Sequence, residues 1–479
     1  MIKTNRLQTF FVLAFLCVYA MSGFAQNTDL DKKLGAENAA AVEQSMGLYD
    51  APKTLQFVDA IGQRLVKNLG DQPFKYRFHL VDMEEPNAFA LPGGYIYVSR
   101  GLVVLANTED ELADVISHEI IHVNRRHSVK GMKRNILPNI LKVPGNIVGS
   151  VINSDLGNII NTPFEMTIAG YGRKQEKEAD EYGIQLAAKT GYEPQQLAII
   201  LRNLSTSLEH QTGEAEKKSY LNDHPFTPKR VEYINEKSEE IQVSKAAPIT
   251  QNKAEFLAKL DGVHFGENPK QGVFAGTKFI HPDMNFVIDF PEKWLTSNSP
   301  RVVGAVDENQ QGMILLQAEE SNDSPEVYAQ KFENALKEKY KMELDPKAKK
   351  TLDINGQKGY MITMAMEDKG QVVFINMVWF KIGNQLMRLV GMDYGNFKDA
   401  FINCAQSIKS LSSSDKGLVK NRVLRVVKAK EGESFEALGK RLNNYWDPKF
   451  TAIANGLEEN TKLKEGDLIK IIAEEPYFK

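Results

Sequence analysis

Thr108-Glu109-Asp110-Glu111-Leu112-Ala113-Asp114-Val115-Ile116-Ser117-His118-Glu119-Ile120-Ile121-His122-Val123-Asn124-Arg125-Arg126 is the stretch that decides how this chain folds. Thr108 with Glu111 three residues later is a capping-box pattern, and the apolar residues behind it recur at helical spacing. A helix opening at Thr108 and running to about Arg126 is predicted. At about 100° per residue, His118 and His122 lie only about 40° apart around the axis, so both imidazoles can bind one ion. Glu119, one residue past the first histidine, falls beside such an ion, where a carboxylate can take a proton from water.

A catalytic zinc needs three protein ligands and an open position. A metzincin continuation would place Gly at 125 and His at 128, but Arg125 and Ser128 stand there, which excludes that family. His127, about 140° further round than His122 on the same helix, is expected to point away as a polar surface residue. The better source of a third ligand is Glu176-Lys177-Glu178-Ala179-Asp180, on a helix predicted from about Arg173 to Thr190. Glu176 and Asp180 share a face, so one can bind the metal while the other holds a ligand imidazole by its second nitrogen.

Four segments in this order carry a family resemblance: Asn87 to Val98, with Gly93-Gly94-Tyr95-Ile96-Tyr97; His118 to His122; Tyr171 to Asp180; and His224-Pro225-Phe226-Thr227-Pro228-Lys229-Arg230. Together they resemble the M48 zinc metallopeptidases, in particular the exported, soluble branch similar to bacterial outer-membrane-assembly peptidases. The resemblance spans about residues 30–240. It implies a mainly helical zincin (gluzincin) domain holding one Zn2+ per chain through His118, His122 and Glu176. It further implies Glu119 as general base and Asp180 behind the ligands. His224 would either stabilise the oxyanion or occupy the open metal position, with Arg230 in support. Gly172 stands where Ser is commoner in the family, a departure that leaves the ligands untouched. Gly94, Tyr95, Ile96 and Tyr97 form a short β segment, expected as an edge strand onto which an extended substrate adds.

Outward from this core the chain is multidomain α+β. With 479 residues, two to four domains are expected. Residues 1–25 resemble a signal peptide, with Lys3 and Arg6 before an apolar run and Gly23-Phe24-Ala25 at a cleavage site. The peptidase domain is assigned to 26–243, a linker to 244–269, an α+β domain to 270–411 with a faint PsbP or Mog1-like resemblance, and a second linker to 412–422. Within the peptidase domain, residues 131–170 read as a long loop broken by Gly and Pro, with the position of a lid between the two metal-bearing helices. Residues 423–479 resemble a LysM glycan-binding module of βααβ order, in Val426-Val427-Lys428, Glu431-Gly432-Glu433-Ser434-Phe435 and Leu463 to Ile471. The serines at 412–414 suggest a tail that localises the enzyme and stands apart from the chemistry.

Lys plus Arg number 59 against 62 Asp plus Glu, so no basic excess points to nucleic acid. Cleavage of the signal would leave Cys404 alone, with no disulfide to form. The expected function is an exported zinc endopeptidase of the periplasm or cell envelope, soluble after signal cleavage. Its expected partners are unfolded or misassembled envelope proteins, with peptidoglycan bound through 423–479. The alternative is a chaperone-like or peptidoglycan-binding envelope protein whose metal site is latent.

Overall fold

The computed structural model describes residues 28–132, 171–212, 224, 227–309, 311–341, 343–368 and 371–478. The expected signal peptide lies outside them, as does nearly all of the expected lid segment at 131–170.

Helices α1 (Asp29–Ser45) and α2 (Pro52–Asn68) come first. Helix α2 buries Phe57, Val58, Ile61 and Leu65, one apolar stripe at helical spacing. Strands β1 (Arg77–Val81), β2 (Ala88–Leu91) and β3 (Tyr95–Ser99) form a sheet of order β1-β3-β2, with β1 parallel and β2 antiparallel to β3. This corrects the expectation for Gly94, Tyr95, Ile96 and Tyr97. Strand β3 is paired on both sides, so its backbone groups are already used and cannot receive a substrate strand. The edge facing away from β1 belongs to β2.

Ser99 closes β3 and caps α3 (Arg100–Leu105) by accepting from Leu102 N. Thr108 then caps α4 (Glu109–Asn124), accepting from Glu111 N at 3.1 Å. The Glu111 carboxylate turns back onto Asn107 N at 2.6 Å, one residue before the N-cap of the expected box. Helix α4 is buried almost all round, and its polar residues are matched individually. Glu109 accepts from Ile249 N and Thr250 N, Asp110 from Glu193 N and Asp114 from Leu197 N. Around it stand α5 (His127–Met132), α6 (Arg173–Thr190), α7 (Gln196–Thr212) and α8 (Pro228–Glu239).

The expected linker at 244–269 holds a helix, α9 (Lys253–Leu260), capped by Asn252. Its Phe256, Leu257 and Leu260 are buried in the same core as Phe57 of α2 and Ile116 of α4. Beyond it, β4 (Val273–Ala275), β5 (Lys278–His281) and β6 (Phe286–Asp289) form an antiparallel meander. The larger sheet comprises β7 (Leu295–Asn298), β8 (Val302–Val306), β9 (Gly312–Ala318), β10 (Lys349–Ile354), β11 (Gln357–Asp368), β12 (Gln371–Ile382) and β13 (Gln385–Asp393). Its order is β10-β11-β12-β13-β9-β8-β7, antiparallel throughout. Neighbouring residues of β12 point to opposite faces. Trp379 packs with Ala329, Phe332 and Leu336 of α10 (Pro325–Tyr340), and Val378 with Phe401 and Cys404 of α11 (Lys398–Gln406).

The segment expected as a second linker forms α12 (Ser413–Leu418), with a capping box between Ser412 and Asp415. Strand β14 (Lys420–Lys428), α13 (Phe435–Leu442), α14 (Pro448–Ala454) and β15 (Leu468–Pro476) follow in βααβ order, the two strands antiparallel. The tail does not stand apart. A two-stranded sheet is marginal alone, and here Leu424, Trp446, Phe450 and Ile472 enter the core that surrounds α4. Backbone bonds from Leu424 N to Val263 O (2.8 Å) and from Gly262 N to Leu424 O (2.9 Å) add the expected linker to β14.

Lys470, fully buried, donates to the carbonyls of Val104, Leu105 and Ala106 at 2.9, 3.0 and 2.8 Å, just ahead of the Thr108 cap. Three acceptors match the three hydrogens of an ammonium. Burial lowers its pKa and raises that of Glu111, and each charge opposes the other's shift. Lys470→Met is therefore expected to cost about 3–5 kcal/mol, read as an earlier midpoint in urea unfolding. An unchanged midpoint would deny the clamp. No helix among the described residues is long and apolar enough to cross a membrane.

Candidate active site

His118 and His122 emerge from α4 one turn apart, and helix α6 crosses directly against them. A side chain at Gly183 of α6 would come within 3.2 Å of the His118 backbone, so glycine there permits the close crossing. That approach brings Glu176, in the first turn of α6, to the two rings. Glu176 Oε1 lies 3.4 Å from His122 Nε2, and its Oε2 3.6 Å from His118 Nε2. The two Nε2 atoms are 2.9 Å apart. His224 closes the group, its Nδ1 lying 3.1 Å from His118 Nε2 and 3.0 Å from Glu176 Oε2.

Donor atoms of His118, His122, Glu176 and His224 thus lie within 4.8 Å of one another, all four residues buried. Imidazole nitrogens and a carboxylate converging this tightly suit a small cation such as zinc. Glu119 is fully buried beside the group. It contributes no atom to that set, and its Oε1 is 3.3 Å from His224 Nε2.

Asp180 stands behind the ligands, Oδ1 2.9 Å from His118 Nδ1. It is held in turn by a two-pronged bond from Arg230, Nε to Oδ2 and Nη2 to Oδ1, both 2.8 Å. Arg230 Nη1 also donates to the His224 carbonyl at 2.9 Å, and Nη2 lies 3.4 Å from Glu176. One guanidinium thereby ties α6 to the His224 segment. Its own place is set by α8, where Thr227 accepts from Arg230 N and Pro228 occupies the first turn. Pro225 and Phe226, quoted for the resemblance, lie outside the described residues.

Burial lowers the pKa of His118 and, more strongly, His122, despite the opposing pull of Asp180 on the first and Glu176 on the second. Both shifts favour the neutral ring, the form a metal ligand must take. Burial works to raise Glu176 and Asp180. His224 and His122 outweigh it at Glu176, Arg230 and His118 at Asp180, and both carboxyls fall below their ordinary range. His224 has the opposite balance, since Glu176 and Glu119 overcome burial and push it up to about 9.

His127 corrects the sequence expectation. It is 1% exposed, not a surface residue, and its Nδ1 lies 3.0 Å from His122 Nδ1. The helical projection failed because α4 ends at Asn124 and Arg126 turns left-handed, at φ 57°. Bonds from Arg126 to Asp31 of α1 accompany that turn, and no local pattern announces them. Tyr171, quoted only within the resemblance, also joins the site. Its ring stacks on His122 at 3.7 Å between centroids, and its hydroxyl donates to Ala90 O on the β2 edge at 3.2 Å.

Comparison with known proteins agrees with this geometry. A family model described as peptidase family M48 matches residues 52–238. Metalloprotease LoiP of Escherichia coli is 33% identical over 181 residues, 37% of this chain and 68% of that protein. The β-barrel assembly-enhancing protease of Yersinia pestis is 25% identical over 247 residues, covering 50% of this chain and 49% of the relative. Mitochondrial metalloendopeptidase OMA1 of Schizosaccharomyces pombe is 25% identical over 228 residues, covering 45% and 64%. The chain spans about half the length of the β-barrel assembly-enhancing proteases it matches. Cyanobacterial PsbP from Synechocystis sp. PCC 6803 matches at 12% identity and a TM-score of 0.24, over 29% of this chain and 95% of that one, which carries no argument about fold. The matched stretch contains all four converging donors, and on that sequence likeness the chain belongs to peptidase family M48.

Proposed function

We propose that the chain is an exported zinc endopeptidase acting on unfolded or misassembled envelope proteins. The observation that carries this reading is the convergence of His118, His122, Glu176 and His224 beside a buried Glu119. A zinc ion held by His118, His122 and Glu176 would supply Lewis acidity and a water of lowered pKa. Glu119 then takes the proton from the attacking water and passes it to the leaving amine. Asp180 and Arg230 keep the His118 ring and the Glu176 carboxylate in place. With β3 enclosed, the substrate backbone would add along β2, whose Ala90 carbonyl now meets Tyr171. The β-barrel assembly named for relatives supports envelope proteins as substrates, and βααβ order supports a glycan-binding tail. Co-sedimentation of the whole chain with insoluble peptidoglycan tests that last point.

Metal analysis and casein cleavage with and without a chelator test the enzymatic reading. One zinc per chain and chelator-sensitive cleavage are expected, and zinc-independent cleavage would overturn it.

The four-donor arrangement also favours latency, since His224 would offer a fourth donor to a zinc held by His118, His122 and Glu176 and so compete with a water. His224→Ala is then expected to raise basal cleavage or self-cleavage. Inactivity with zinc retained would assign His224 to the oxyanion instead. A closed site without cleavage in either form would favour the chaperone-like reading.

A further inference from the structure

The two helix-borne histidines engage their second ring nitrogens by different means. His118 Nδ1 meets a buried carboxylate, Asp180, at 2.9 Å. His122 Nδ1 meets another imidazole, His127 Nδ1, at 3.0 Å, and His127 Nε2 lies 3.4 Å from Glu178 Oε2. Glu178 is one-third exposed and lies 3.5 Å from Arg125 Nε, so the row runs from the site to the surface.

The proton positions in this row follow from the His122 nitrogen that faces the cluster. That atom is Nε2, and a metal-binding nitrogen carries no proton, so the neutral ring holds its proton on Nδ1 and donates it. His127 Nδ1 must then accept, which leaves its own proton on Nε2, pointing at Glu178. With the His122 proton on Nδ1, the other tautomer of His127 would set two N–H groups against each other, and the reversed pair would put a proton on the His122 nitrogen that faces the cluster. Burial lowers the His127 pKa to about 4 against the pull of Glu178, which agrees with a neutral ring. Its backbone is fixed too, since Gln175 Nε2 donates to His127 O at 2.8 Å.

We propose that His127 is a positioning residue for the metal ligand His122, fixing its tautomer and ring orientation through a hydrogen-bonded row that ends on Glu178. The inference rests on reading His118, His122 and Glu176 as metal ligands. Residues that orient ligands typically contribute about 10–100-fold to metal affinity.

His127→Phe keeps the ring volume and removes both nitrogens. In the full mature chain it is expected to weaken zinc binding about 10–100-fold in competition with a chromophoric chelator, while the metal-free protein unfolds at the parental temperature. His127→Gln, whose amide can accept from His122 and donate to Glu178, should recover part of that affinity. Glu178→Ala, at a partly exposed position, should weaken zinc in the same direction by a smaller factor, and it decides alone if His127→Phe does not fold. Parental zinc affinity in both His127→Phe and Glu178→Ala would overturn the proposal. A parental chain that binds no zinc would remove the metal reading, and this inference with it.

Discussion

Glu119→Gln is expected to lower the rate of peptide cleavage by about 10²–10⁴-fold while leaving one zinc bound per chain. The carboxylate is fully buried, next in sequence to His118, yet supplies no atom to the four converging donors. Gln keeps its size and removes its basicity, so the ligands stay matched while the proton acceptor is lost. His118→Ala or His122→Ala should instead remove metal and cleavage together. Zinc content and casein turnover measured on the same preparations separate the two outcomes. Retained turnover in Glu119→Gln would end its assignment as the general base.

Removing residues 420–479 is expected to unfold the peptidase, not merely to release it from a tether. Leu424, Trp446, Phe450 and Ile472 sit in the core around α4, and four such side chains at roughly 1.5–3 kcal/mol each amount to a domain's typical net stability of about 5–15 kcal/mol. The three carbonyls that Lys470 satisfies would also lose their donor. The truncated chain should therefore be insoluble or melt far below the parent, losing zinc binding and cleavage of even an unfolded substrate. A truncated chain that folds, holds zinc and cleaves at the parental rate would restore the view of the tail as a separate anchor.

The sequence by itself determined what depends on neighbours along the chain. Thr108 with Glu111 marks a helix start through capping chemistry confined to four residues, and it heads a helix in the structure. The 3.6-residue period placed His118 and His122 on one face, and Glu176 with Asp180 on another, because helical geometry alone relates residues four apart. His224 and Arg230 were reached through family resemblance and not through periodicity, since nothing local joins them to α4.

Tertiary structure decided what depends on distant segments. Strand pairing made β3 interior and β2 the edge, and no four-residue stretch of apolar residues can state its own neighbours. The left-handed turn at Arg126 brought His127 back to His122 where a continuous helix would have carried it away. Polar stretches at 244–269 and 412–422 resemble linkers in composition, yet α9 forms because Phe256, Leu257 and Leu260 find a core elsewhere in the chain, and α12, held by its Ser412–Asp415 capping box, leads into Val419, which is buried against Val273, Ile280 and Val287. Lys470 is the clearest case. A lone lysine in a strand reads as solvated, and only the three carbonyls ending at Ala106, more than 360 residues away in sequence, make it a buried clamp on the approach to the metal-bearing helix. Burying a charge is tolerated only where its partners are assembled around it, and that assembly exists only once the chain has folded.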